Sequence, residues 1–423
     1  MRTALLVLPL LLAGCVGGLL APATLPAPPD PPVALPLADG FFNRTGDPCY
    51  KVPQQTCAYT PFHTLEELHA RILSYPDLYP GFAEVRVIGA SREGRPIHDV
   101  VVTDRSVPGP KLTTLIDGGH HANELEGIEA PLYVIDFLLE NRANATVASW
   151  LAKYEMHFVP VLNPDGYVRG TRGNALGVNL NRNYDVDWGD PVGASNPVMG
   201  QVGNVTGRPV PSQAIVAENC GAYPFSEPET VALRDLMAEL AASEGGLAFY
   251  YTHHTPTNGF IAPWSAGRAP FPIPPEHQAV LEAELAWVRA HTEYKAGKAQ
   301  WGNFSAGLPY AASGTSMDWA YATHRVPTFT IEIAIYYTSV FSDGYVDRYY
   351  LQPYKGLDYW LRATLPIELH LLANAERLAR WEVPDVEPPL PDGAPPELPA
   401  PGTPLWFPEG DHEAWRPRVP AVA

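Results

Sequence analysis

Apolar runs of strand length alternate along this chain with stretches of helical spacing. In "HTLEELHARILSYPDLYP" (63–80), Leu65, Leu68, Ile72 and Leu73 fall towards one side of a helix, which predicts an amphipathic element. "AEVRVIGAS" and "HDVVVTD" follow as strand-like runs separated by the turn-like "REGRP", so a hairpin is expected there. Further apolar runs at 112–116, 155–162, 246–252 and 328–334 predict buried strands, and helical patterns fill 126–140, 227–243, 275–292 and 364–382. Such alternation predicts an α/β fold, a largely parallel or mixed sheet with helices on both faces. The pattern is continuous from about residue 58 to residue 382, so one domain of catalytic size is expected over 58–382. Residues 15–57 form a lead-in whose "APATLPAPPDPPVALPLA" is proline-rich and predicted to be an extended tether. After Trp381 the chain turns proline-rich again, and 383–423 is expected to be a tail without a core of its own.

Composition narrows the partners. The chain has 423 residues, 46% of them hydrophobic, enough for a large core. Its formal charge of −18, with no basic stripe anywhere, excludes nucleic acid as a partner, because neutralising phosphates needs a basic face. The start, "MRTALLVLPLLLAGC", has one early arginine and an apolar run too short to span a bilayer, and it reads as an export signal over residues 1–14. Leu-Ala-Gly-Cys resembles the lipobox of prokaryotic lipoproteins, which implies cleavage before Cys15 and lipidation of that residue. Two or more acyl chains would anchor the protein stably to an extracytoplasmic membrane face. The other reading is a plain signal peptide cleaved nearby, with a secreted product and Cys15 incidental. Export makes a disulfide plausible among Cys49, Cys57 and Cys220, with the pairing left open.

The candidate chemistry gathers at the ends of predicted strands. "GGHHANELEG" (118–127) sets His121 and Glu124 three residues apart, close enough for one turn to bring both onto one ion. Catalytic zinc takes three protein ligands, and two histidines with one glutamate is an established set. His120 is a rival by composition, read here as structural. A third ligand is expected at another strand end, and "GLAFYYTHH" supplies His253 and His254, of which His253 is read as a buried structural histidine. In "PTFTIEIAIYY", Phe329, Ile331 and Ile333 share one strand face, and Thr328, Thr330 and Glu332 the other. Burying a carboxylate in so apolar a strand is costly unless it is paired or has a task, so Glu332 is either a general base or a salt-bridged glutamate at a sheet edge. "NPDGYVRGTRGNALGVNLNRNY" (163–184) brings arginines and asparagines into a glycine-rich loop after a fourth strand. Arginine forks there could grip a carboxylate or stabilise an oxyanion.

Together these motifs resemble the zinc carboxypeptidase (metallocarboxypeptidase) family over about residues 58–382. The resemblance implies one Zn²⁺ per chain held by His121, Glu124 and His254. The spacing of "HTPTNGFIAPW" selects His254 over His253. It implies that Asn181 and Arg182 of "LNRNY", with Tyr310, bind the substrate's terminal carboxylate, and that Glu332 is the catalytic base. Arg172 fits the compact R-x-N-x-x-G-V-x-L-N-R-N form of the loop as the carbonyl-polarising arginine, while Arg169 fits a longer form. Met317 aligns with the specificity position, with Ser265 and Thr330 nearby, and implies apolar or mixed terminal side chains. "PFSEPET" is a further family-like stretch, expected to start a helix with Ser226 as N-cap. One departure is Asn123, where an arginine often precedes the zinc-binding glutamate. Fold and function follow as expectations: a mixed, roughly eight-stranded twisted sheet between helices, and a monomeric enzyme acting on peptides with a free C-terminal carboxylate. No large inhibitory prosegment is expected between Cys15 and residue 58. Muramyl-peptide or other amide hydrolysis on the same fold is the alternative activity, and a non-catalytic peptide-binding surface protein the alternative of another class.

Overall fold

The computed structural model describes residues 62–189, 219–255, 257–299, 311–335 and 357–388. Cys15, Cys49, Cys57 and Tyr310, the lead-in and the tail beyond 388 lie outside the described residues. Eight strands form one sheet: β1 (Ala83–Ala90), β2 (Pro96–Val102), β3 (Leu112–Gly118), β4 (Tyr154–Val159), β5 (Leu247–His254), β6 (Thr257–Ala262), β7 (Lys295–Lys298) and β8 (Thr328–Ile335). Their order is β1-β2-β4-β3-β5-β8-β6-β7. β4, β3, β5 and β8 run parallel in the middle; β2 and β6 flank them antiparallel, and β1 and β7 close the edges. The expected mixed, eight-stranded sheet is what forms.

Helices cover both faces. In chain order they are α1 (Leu65–Leu78), α2 (Leu125–Glu140), α3 (Ala145–Lys153), α4 (Pro164–Arg169), α5 (Pro228–Ala242), α6 (Pro275–His291), α7 (Ser316–His324), α8 (Leu357–Ala373) and α9 (Ala375–Leu378). Strand alternation sorts the core into two clusters. Phe249, Tyr251, Phe329 and Ile331 point to the side packed by α1, α2 and α8, while Leu115, Tyr250 and Trp319 join α5 on the other. α2 lies under the central strands with nearly every side chain buried, held to α1 by His63 on Glu129 and Arg71 on Asp136.

Several local expectations need correction. Leu73 is 56% exposed, because it is turned about 100° round the helix from the buried Ile72. α1 starts instead with a capping box between Thr64 and Glu67, and Tyr75 completes its buried face. The helix expected from Ser226 has Glu227 at its N-cap and Pro228 in its first turn, and the Ser226 hydroxyl donates to the Glu227 carboxylate. The helix expected over 364–382 begins earlier and breaks at Asn374. That asparagine then ties down the start of the proline-rich tail: its Oδ1 accepts from Asp385 N and Val386 N, each at 3.0 Å, and its Nδ2 donates to Val386 O. β6, β7, α3, α4 and α7 were not apparent from the hydrophobic pattern.

Candidate metal centre

The parallel strands deliver their C-terminal ends to one place. His121 and Glu124 sit in the turn between β3 and α2, His254 closes β5, and Glu332 lies in β8 directly across from His254 in the register. Paired residues on neighbouring strands point the same way, so His254 and Glu332 share a face, while His253 points through the sheet. There its Nε2 meets Glu368 at 2.6 Å and its Nδ1 meets the Asp117 carbonyl. β8 lies between β5 and β6, so Glu332 is not a sheet-edge residue. Two glycines allow the turn to pack this tightly. A β-carbon on Gly118 would sit 2.0 Å from the Gly127 carbonyl oxygen, and one on Gly127 would sit 3.1 Å from the His253 carbonyl oxygen.

Among the described residues, His121, Glu124 and His254 are the one set of three with ligand atoms close enough for a shared ion, all within 4.8 Å of one another. His121 Nδ1 is 2.8 Å from Glu124 Oε1, His254 Nδ1 is 2.8 Å from Glu124 Oε2, and the two Nδ1 atoms are 3.0 Å apart. Tetrahedral zinc with bonds of 2.0–2.1 Å separates its ligand atoms by about 3.3 Å, so little movement is needed. A neighbouring amide sets the His121 ring. Asn179 Oδ1 accepts from Asn181 N, which fixes it as the oxygen that faces His121 Nε2 at 2.8 Å. His121 Nε2 therefore carries the proton, and its Nδ1 lone pair is aimed at a carboxylate. Burial, and then Arg172, push the His121 pKa down to about 4. Two nitrogens and a carboxylate on one point suit zinc.

The surroundings are equally ordered. Glu124 also accepts from Thr255 N at 3.1 Å and from Arg172 Nη1 at 2.6 Å. Arg169 instead faces Glu93 and the Ala175 carbonyl at the surface. His120 is fully buried, bonded to the Tyr184 hydroxyl at 2.8 Å and stacked on His254. The Asn181 amide spans His254 Nε2 at 3.0 Å and Ser316 N at 2.9 Å, and Arg182 Nη1 donates to the Asn181 carbonyl. Burial, with Glu124 adding to it, pushes Glu332 up to about 8, and Arg172 and Arg182 pull it partly back. Met317 is buried with Ile261, Ala299 and Ala312, and its sulfur receives the Thr330 hydroxyl at 3.5 Å. Beside it lies Asp318, an acid that no motif marks in the sequence. Its carboxylate is taken up by Ser265 N, Ala266 N and the Ser265 hydroxyl. Asn179 was also missed: it sits in a run of asparagines that reads as turn chemistry.

Residues 73–342 match the sequence model of the zinc carboxypeptidase family, close to two thirds of the chain. Carboxypeptidase B of Astacus astacus is 29% identical over 291 residues, covering 65% of this chain and 87% of that protein. Zinc carboxypeptidase A 1 of Anopheles gambiae is 27% identical over 290 residues, 65% of this chain and 60% of that protein. Among solved structures, carboxypeptidase A from Helicoverpa armigera aligns with a TM-score of 0.54 at 20% identity, covering 78% of this chain and 75% of that one. Bovine thrombin-activatable fibrinolysis inhibitor, in complex with tick carboxypeptidase inhibitor, aligns at 0.53 and 22%, covering 76% and 97%. Fold, ligand set and sequence agree: the chain belongs to the zinc carboxypeptidase family and is a metallopeptidase of that class.

Proposed function

We propose that this enzyme removes single residues from the C-termini of peptides, with Glu332 as its general base. The observation that carries this reading is the register pairing of Glu332 with His254, which sets a buried carboxylate beside the metal ligands and within the fields of Arg172 and Arg182. Zinc held by His121, Glu124 and His254 supplies Lewis acidity toward a water and toward the scissile carbonyl. Glu332 accepts the water's proton and returns it to the leaving amine, a task suited to a carboxyl buried beside the metal ligands. Arg172 swings from Glu124 Oε1 to the developing oxyanion. Arg182, with the remaining Asn181 amide proton and Tyr310, binds the terminal carboxylate, and this makes the cleavage exopeptidic. Met317 favours apolar terminal side chains, and Asp318, occupied by its own loop, offers nothing to a basic one. The enzyme acts as a monomer, exported and held to the membrane through lipidated Cys15.

The test is a set of peptides differing in the last residue, each with a C-terminal amide counterpart, followed by mass spectrometry. Stepwise loss of single residues from the free acids is expected, with apolar residues released first and the amides spared. Chelation abolishes it, and Glu332→Gln lowers kcat by about 10²–10⁴-fold with zinc retained. Fastest release of Lys or Arg would overturn the apolar pocket. Intact peptides alongside cleaved muropeptides would move the activity to amide hydrolysis.

A further inference from the structure

Three stretches that the metal site leaves unexplained meet at one point. They are "REGRP", the asparagine two residues after Arg172, and "SEPET" at the start of α5. Asn174 is 2% exposed, and every bonding position of its amide is filled. Its Oδ1 accepts from Leu176 N at 3.0 Å and Val178 N at 3.1 Å, closing the loop on itself. Its Nδ2 donates to Glu227 Oε2 at 2.7 Å and Glu229 Oε2 at 3.3 Å, fastening the loop to α5. Arg92 holds the same two glutamates from the other side, through its guanidinium on Glu227 and its backbone N–H on Glu229. On the near side of Arg172, Thr171 N donates to the Gly166 carbonyl. Arg172 thus sits in irregular backbone pinned at both ends, with its guanidinium at the metal-side carboxylate.

We infer that Asn174 is a positioning residue, which holds Arg172 where the oxyanion develops by clamping its loop to Glu227 and Glu229. This rests on the role proposed for Arg172 above. The pattern of partners also explains why an amide is needed: carboxylates on one side and N–H groups on the other require a group that both donates and accepts. Aspartate has the same shape but would set a third carboxylate against two.

The test is a double-mutant cycle on release of C-terminal residues by the zinc-loaded, full-length enzyme. Asn174→Ala is expected to lower kcat by about 100-fold, the scale of a 1 Å misplacement, with KM and zinc content unchanged. In an Arg172→Ala background it should have no further effect. Asn174→Asp should be as impaired as Asn174→Ala, and adding Glu227→Gln should restore part of kcat by giving the new carboxylate a donor. Losses that multiply in the double mutant, or a change in KM instead of kcat, would overturn the inference and leave the proposed reaction standing. Full activity in Arg172→Ala alone would overturn both the inference and the role proposed for Arg172, with C-terminal release itself still standing. If Asn174→Ala does not fold, Asn174→Asp takes its place in the same cycle, and the same outcomes decide.

Discussion

A lone pair facing a carboxylate at 2.8 Å and a buried carboxyl with a pKa near 8 are both consequences of neighbours rather than of residue type. For Glu332 this has a measurable cost. In the unfolded chain its carboxyl titrates near 4.5; in the fold, burial and then Glu124 raise that to about 8. The stability this proton confers on zinc-free protein is complete below about pH 4.5 and is lost as pH rises towards 8. Asp117, held up to about 7, and Asp318, up to about 6, both by burial, act in the same direction over lower windows. Glu332→Gln cannot ionise, so in chelator it should melt well above wild type at pH 8 and close to it at pH 5. Wild-type and variant melting curves that stay parallel from pH 5 to 8 would refute the assignment. His121, Glu124 and Glu332 were legible in the sequence because each is a chemically capable residue at an apolar strand or its end. Choosing between His253 and His254 took the family's spacing, and the structure shows the physical reason: one residue along a strand is the other face of the sheet. Asn174 and Asn179 gave no comparable signal, since asparagine in a glycine-rich loop looks the same whether it bonds to solvent or to a histidine.

The central strands were readable because burial on both faces leaves continuous apolar runs, as in β5, where every residue is buried. β6 and β7 were not. Asn258 and Gly259 interrupt "TNGFIA", "KAGK" has little intrinsic strand preference, and both are held as strands by pairing with β8 and with each other. The break between α8 and α9 was hidden in the same way, because it is fixed by what Asn374 binds eleven and twelve residues further on. Asn374→Ala leaves two backbone N–H groups without their acceptor. It should cost about 0.5–1.5 kcal/mol in denaturant unfolding and speed amide exchange at Asp385 and Val386. Unchanged exchange at those two amides would show that the tail is held by other contacts.

The whole molecule carries a formal charge of −18, and among its described residues no helix is long and apolar enough to cross a membrane. The proposed attachment rests on Cys15. Cys15→Ser should abolish labelling by radioactive palmitate and move the protein from the membrane fraction to the soluble fraction. Persistent membrane association without label would rule the anchor out. The acidic surface and the motifs were available from the sequence, but the assembly of the site was not. Its ligands come from the turn after β3 and from the end of β5, and the pairing of β5 with β8 depends on long-range packing that no local pattern encodes.

That pairing has a consequence for the life of the chain. His121, Glu124 and His254 are all synthesised before Glu332, and Glu332 reaches them only when β8 closes against β5. On the role proposed for Glu332, a copy in which β8 has not closed against β5 has no base with which to cut. Activity is then expected only once the last central strand is in place, whatever the state of the metal ligands before it.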